Sequence, residues 1–231
     1  MTETLNLHPF RWRSRWREAL EACSRSGGEA RPLVIGPPAD SAAVDRVEKQ
    51  IGMALPAAFR RVVLEFSAEM EFSWFLSDGY EPPDPFNGIF SGGCSWTLHR
   101  LADIQDSLNG WVSSAFPNPD NPYDRVWHNK LGFLEVGNGD MLALDLAPAS
   151  AGQVVYLSHD AGDGHGYSLG HDFADFVGRW SELGCPGAED WQWLPFTRDQ
   201  GSLLDAQGHR AREWRKIFGM SERDDVEADE K

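Results

Sequence analysis

The chain has 231 residues, 41% of them apolar and 25% charged, with 36 Asp and Glu against 21 Lys and Arg and a formal charge of -15. This length and apolar content supply a real hydrophobic core and exclude wholesale disorder and collagen-like repeats. A surface this acidic repels phosphate backbones and anionic lipid, which disfavours general nucleic-acid and membrane-surface binding and attracts basic partners.

Between Phe10 and Cys23 the apolar positions Trp12, Trp16, Ala19, Leu20 and Cys23 recur at three and four, the spacing of one helix face. Arg11, Arg13, Arg15 and Arg17 interleave with them and are expected to be solvated or paired with acids of the central chain. Gly27, Gly28 and the run Arg31 to Pro38 predict a break and an irregular connection. A second helix is capped by Asp40 or Ser41 and runs through Val44, Val47 and Ile51 toward Leu55. Pro56 opens a third, with Phe59, Val62, Val63 and Phe66 on one side.

Phe72, Trp74 and Leu76 then alternate as in a strand, and Asp78 to Gly93 is loop-rich. A short helix follows through Leu101, Ile104 and Leu108, and Pro117 to Pro122 forms an acidic loop. The clearest local signal is a hairpin: apolar runs Leu131 to Val136 and Met141 to Leu146 flank Gly137-Asn138-Gly139-Asp140, where Asn-Gly supplies the positive φ of a tight turn. Val154 to Ser158 adds a third strand and completes a meander. A glycine-rich loop, Ala161 to Gly166, leads to a helix capped by Asp172 with Phe173, Phe176, Val177 and Trp180 on one face, stopped by Gly184. A last helix spans roughly Asp205 to Phe218. Helices first, then a meander, then a helix across it give an α+β fold with a mostly antiparallel central sheet and a C-terminal helical extension. The expected organisation is residues 1–40 packed on the core, a core of 41–183, an extension of 184–220 and a disordered acidic tail of 221–231.

The charge is unevenly placed. Residues 62–178 hold 17 acids against Arg100, Arg125 and Lys130, so -14 of the -15 falls there, in a stretch whose aromatics and glycine turns predict folded surface. Cys23, Cys94 and Cys185 are too scattered for a disulfide framework or a zinc site. No apolar run near the N-terminus could serve as a signal-peptide core, and no run of roughly 18 apolar residues occurs. A cytoplasmic protein is expected.

One stretch invites a chemical reading. His159, His165 and His171 with Asp160, Asp163, Asp172 and Asp175 form the densest cluster of candidate metal or acid-base groups. The glycines between them favour a strand-to-helix turn whose acids and imidazoles cap backbone groups, so neither a catalytic residue nor a metal or other cofactor is assigned. A hydrolase built on His159, Asp160 and His165 is the enzymatic alternative. Cys94 with His99 could suggest a thiol nucleophile and its base, but Cys94 reads as a buried free thiol, and Trp191 with Trp193 as packing residues, not a ligand cage. No phosphate-binding loop, GxSxG elbow or HExxH helix occurs.

Gly137-Asn138-Gly139-Asp140-Met141-Leu142-Ala143-Leu144-Asp145, Val154 to Asp160, Leu169-Gly170 and Phe173-Ala174-Asp175-Phe176 together resemble the SUKH superfamily, which takes in fungal cell-wall synthesis regulators and bacterial immunity proteins of polymorphic toxin systems. Upstream, Val47-Glu48, Ile51-Gly52 and Leu55-Pro56-Ala57-Ala58-Phe59 resemble the family's entry helices, with Ser67-Ala68-Glu69 departing from its usual turn. The matching residues Leu55, Pro56, Gly137, Gly139, Asp140, Phe173 and Phe176 are structural in character and carry over no catalytic site. The resemblance implies a binding module, most often an immunity protein that neutralises a toxin, with a regulatory scaffold of the cell-wall type as the alternative. The charge adds a basic partner, such as a nuclease toxin. Asp78, Glu81, Asp84, Asp120, Asp124, Asp160 and Asp163 are the candidate contact residues.

Overall fold

The computed structural model describes residues 9–222; residues 1–8 and 223–231 lie outside them, and with the latter most of the expected acidic tail. In chain order the elements are α1 (Pro9–Arg25), β1 (Glu29–Ile35), α2 (Ser41–Ile51), α3 (Ala57–Glu65), β2 (Glu69–Phe75), β3 (Ser91–Thr97), α4 (Leu101–Ser114) and α5 (Asp124–Trp127). They continue with β4 (Lys130–Glu135), β5 (Met141–Asp145), β6 (Val154–Leu157), β7 (Ser168–Gly170), α6 (Phe173–Glu182), α7 (Asp190–Trp193) and α8 (His209–Phe218). The fold is α+β, and its strands form two antiparallel sheets, β1-β2-β3 and β4-β5-β6-β7.

The two sheets are built differently. In β2, Met70, Phe72 and Trp74 are buried while Glu69, Glu71 and Phe75 face outward, the alternation of a one-sided sheet. The meander is covered on both faces. Leu131, Phe133, Leu142, Leu144, Val154 and Tyr156 enter the main core, and Met141, Ala143, Val155 and Leu157 meet a second cluster with Ile104 and Leu108 of α4. Burial on both sides explains why these strands are continuous apolar runs in sequence.

The family-like residues and the caps beside them hold the core together. Asp40 caps α2, accepting from Ala43 N at 2.7 Å, and Gly52 ends it with φ 73°. Glu48 Oε1 accepts from Leu55 N at 2.9 Å and lies 3.4 Å from Arg60, which fixes the turn into Leu55-Pro56. Phe173 packs edge-on against Phe59, Trp96 and Phe133, with ring centroids 4.7, 5.4 and 5.2 Å away, so α6 joins both sheets to α3. Phe176 packs beside Trp180 with the two rings tilted. Gly170 lets the backbone of β7 approach α6: a Cβ there would stand 2.6 Å from Phe176 N.

Five sequence expectations are corrected, the last of them in part. The Arg31 to Pro38 connection contains β1, an edge strand that tolerates Pro32 because its register shifts between Arg31 and Val34. The Gly92-Gly93 segment is not loop but the start of β3, whose glycines sit where Trp74 and the Phe72 carbonyl leave no room for a side chain. The segment after the third meander strand adds a fourth, β7, and α4 is a 14-residue helix instead of a short one. Of the α1 arginines, Arg13 and Arg17 are exposed, as one of the two expectations had it, while Arg11 and Arg15 pair with acids outside the central chain. Buried Arg15 lies 2.6 Å from Glu18 and 3.2 Å from Glu182, and Arg11 reaches the same Glu182 at 2.6 Å, clamping α1 to α6. Trp12 and Trp16 face the core as expected. No helix among the described residues is long and apolar enough to cross a membrane.

Candidate functional site

One end of the molecule gathers the hairpin turn, the loop after β6 and helix α7, and its organising group is Asp140. Asn138 Oδ1 accepts from Asp140 N at 3.0 Å, and Gly139 follows with φ 101°, which closes the turn. This leaves the Asp140 carboxylate 1% exposed and fully partnered. Oδ1 accepts from His159 N at 2.8 Å and is 2.7 Å from His159 Nδ1; Oδ2 accepts from Asn138 Nδ2 at 2.8 Å and from the Tyr156 hydroxyl. Burial alone would raise the Asp140 pKa, but these donors outweigh it and hold the carboxyl below its ordinary value. Burial and the neighbouring Asp140 push the Tyr156 phenol far up, so it stays a donor.

The same phenol accepts from Asp190 N at 3.2 Å, which carries the network into α7. Asp190 is buried, its Oδ2 accepting from Gly164 N and its Oδ1 from Trp191 N, both at 2.8 Å. Burial, with the fields of Asp140 and Asp163, raises its pKa against the pull of the two amides. Nothing in the sequence marks Asp190 as special except its place in Gly187-Ala188-Glu189-Asp190-Trp191, a run without a base, and Trp191, read from sequence as a packing residue, is exposed.

A second knot fixes the loop between β6 and β7. His165 stacks on Tyr123 with ring centroids 3.7 Å apart; its Nδ1 accepts from Ser158 N and its Nε2 donates to Tyr123 O, both at 3.0 Å. Both nitrogens are spent on backbone, and burial lowers the imidazole pKa and keeps the ring neutral. The Tyr123 hydroxyl donates to Ser158 O at 2.5 Å and accepts from Ala161 N at 2.9 Å, tying the loop before α5 to the loop after β6.

The histidine-acid stretch is therefore divided. His159 faces Asp140 and lies 5.3 Å from the Trp111 ring, His165 stacks on Tyr123, and exposed His171 lies at the start of α6, where its N–H reaches Asp175. Asp140, His159 and Asp160 bring ligand-type atoms within 4.8 Å of one another. Both oxygens of Asp140 are already filled, and one oxygen of Asp160 accepts from Ser158 Oγ at 2.9 Å. His159 meets Asp140 through both its backbone N–H and its Nδ1, so the pair is held to each other and to the hairpin turn. Cys94 is buried away from His99, which hydrogen-bonds Thr97 at 2.6 Å.

The candidate contact acids fall into two groups. Asp78, Glu81 and Asp84 are exposed on the loop between β2 and β3. Asp160 and Asp163 are exposed on the loop after β6, with Asp120 exposed beside α5; Asp124 is half-buried and accepts from Asn118 N at 3.1 Å, so it acts on its own loop. Trp193 is buried, 5.1 Å from the Tyr156 ring, whereas Trp191 is 46% exposed, so the two tryptophans do not form a cage.

No curated protein compared with the chain matches it. A model of the SMI1 / KNR4 family (SUKH-1) matches residues 38–179, from just before α2 to within α6. Spanning more than half of the sequence and the core just described, that match places the protein in the SMI1 / KNR4 family (SUKH-1).

Proposed function

We propose that the protein is a non-enzymatic immunity module that acts in the cytoplasm, binding a basic toxin domain, of which nucleases are one fitting class, and neutralising it. Membership of the SUKH superfamily supports a protein-binding role. The observation that carries the reading is electrostatic. The loops at 77–90 and 158–166 contain five carboxylates and no Lys or Arg. Complementary fields of that kind accelerate association and suppress wrong partners. The Asp140 and His165 networks favour binding over catalysis, since they spend their polar groups on fixing loops.

The test is neutralisation. The chain is co-expressed with the toxin candidate encoded next to its gene, and growth and co-purification are measured. Rescue of growth with a complex that weakens steeply as salt rises is the expected result. Growth arrest despite full expression of the chain overturns the reading, as does a chelator-sensitive hydrolytic activity lost in His159→Ala.

A further inference from the structure

Helix α7 sets an exposed tryptophan between the two acidic loops. On one side, a Cβ placed on Gly88 would come within 3.1 Å of Trp191 Cδ1, so the indole rests on the β2-β3 loop, the one that carries Asp78, Glu81 and Asp84. Two residues on, Phe90 is 51% exposed, and the next residue, Ser91, accepts at its carbonyl from Gln192 Nε2 at 3.1 Å. On the other side, the carboxylate of Asp190 holds Gly164 N in the loop of Asp160 and Asp163. Glu189, half-buried, precedes it.

Two features together mark this surface. Among the described residues none of Asp78, Glu81, Asp84, Asp160, Asp163 and Glu189 forms an ion pair with Lys or Arg, whereas many acids elsewhere do. The aromatic at its centre is held in place before any partner arrives, by Asp190 Oδ1 on Trp191 N and by the Gly88 backbone, so docking on it orders little that was free.

We propose that Trp191, with Phe90 beside it and the two acidic loops around it, is the docking surface for an arginine-bearing segment of a basic protein partner. This rests on the binding function proposed above and names the surface and the partner chemistry. Arginine fits better than lysine because a guanidinium stacks on an indole face while its fork pairs with a carboxylate, and lysine offers only a point charge. Tryptophan is also among the side chains enriched at the energetic centre of protein interfaces.

The probe is a fluorescent hexa-arginine peptide, with hexa-lysine as its counterpart, titrated into the full chain at low ionic strength. The parent binds hexa-arginine more tightly than hexa-lysine. Trp191→Ala weakens hexa-arginine binding by about tenfold and erases the preference. Trp191→Tyr, which keeps an aromatic face, retains most of both. Asp78→Asn with Glu81→Gln and Asp84→Asn weakens both peptides, and Asp103→Asn with Asp106→Asn, on exposed positions of α4, weakens neither. Thermal melting of each variant separates lost docking from lost folding, and hydrogen exchange on adding the peptide maps protection to residues 77–91 and 158–193. Binding by folded Trp191→Ala within twofold of the parent overturns the proposal, as does an equal loss in the α4 control or no arginine preference in the parent. The two readings fail separately. A toxin neutralised equally by the parent and Trp191→Ala removes this surface and leaves the immunity function; Trp191-dependent peptide binding without neutralisation does the reverse.

Discussion

The Tyr156 hydroxyl donates to Asp140 across the inside of the meander, so the turn between β4 and β5 and the strand two places on are joined by one buried hydrogen bond. Asp140→Ala removes the acceptor for that hydroxyl, for the Asn138 amide and for His159 N. Leaving such donors buried and unpaired costs about 3 kcal/mol, to be read in a urea melt. The sign of the pH effect follows from the depressed carboxyl. The native state binds fewer protons here than the unfolded chain, so the contribution is full above the ordinary Asp value of 3.8 and is lost as pH falls through the lower folded value. Asp140→Asn should flatten that part of the acid limb, and an unchanged limb would assign the stability elsewhere.

His165 gives a second, higher window. Its folded pKa lies below the ordinary 6.5, so the native state again binds fewer protons than the unfolded chain. The stability it provides is complete above 6.5 and declines as pH drops below that toward the folded value. His165→Phe keeps a ring against Tyr123 but cannot titrate. Its stability profile between pH 7 and 5 (a range of about two units around the imidazole) should be flatter than the parent's, though lower at neutral pH by about 1 kcal/mol for the lost acceptor of Ser158 N.

How far the sequence spoke differs by element. The hairpin, the Asp172 cap and the α1 stripe are local signals, and each stands where the spacing put it. Strands β1 and β3 are not local. Pro32 and the pair Gly92-Gly93 read as breakers, and only their neighbours, an unpaired sheet edge for the first and Trp74 with Cys185 O for the second, make them acceptable in strands. The same holds for the site. Asp140 is legible as a turn residue, but its bond to Tyr156 and the onward link to Asp190 join segments 16 and 34 residues apart, which periodicity cannot pair. The exposure of Trp191 against the burial of Trp193 is likewise a consequence of where α7 docks.

The clamp at Glu182 can be tested by breaking and by replacing it. Glu182→Ala leaves the buried guanidinium of Arg15 with Glu18 and the Ser221 carbonyl, and takes from Arg11 its partner. Uncovering a buried charge in this way costs about 3 to 5 kcal/mol. Arg15→Met combined with Glu182→Leu fills the same space without charges and should recover most of that loss. Urea midpoints of the two variants decide it: equal destabilisation in both would mean that shape, and not charge pairing, holds α1 on α6.

The three cysteines provide the last test, because all three are buried and the surroundings of Cys23 and Cys185 disfavour the thiolate. Cys23 donates to the Phe75 carbonyl at 3.1 Å; burial raises its pKa, the hydrogen bond opposes the rise and Glu29 adds to it. Cys185 is buried at a positive φ of 54°, and burial first, then the adjoining Cys94, raises its pKa well above the ordinary value. Thiolate is the reactive form, so burial protects Cys23 and Cys185 twice, by access and by ionisation, and Cys94 by access. Ellman's reagent should therefore modify none of them in the native protein on the timescale of seconds and all three at once in denaturant. At intermediate denaturant all three should react at one common rate, because Cys23 sits under β1 and Cys94 and Cys185 lie between β3 and α6, all within the same main core. Faster reaction at Cys23 alone would mean that α1 and the β1 edge open as a unit of their own, independently of the family core.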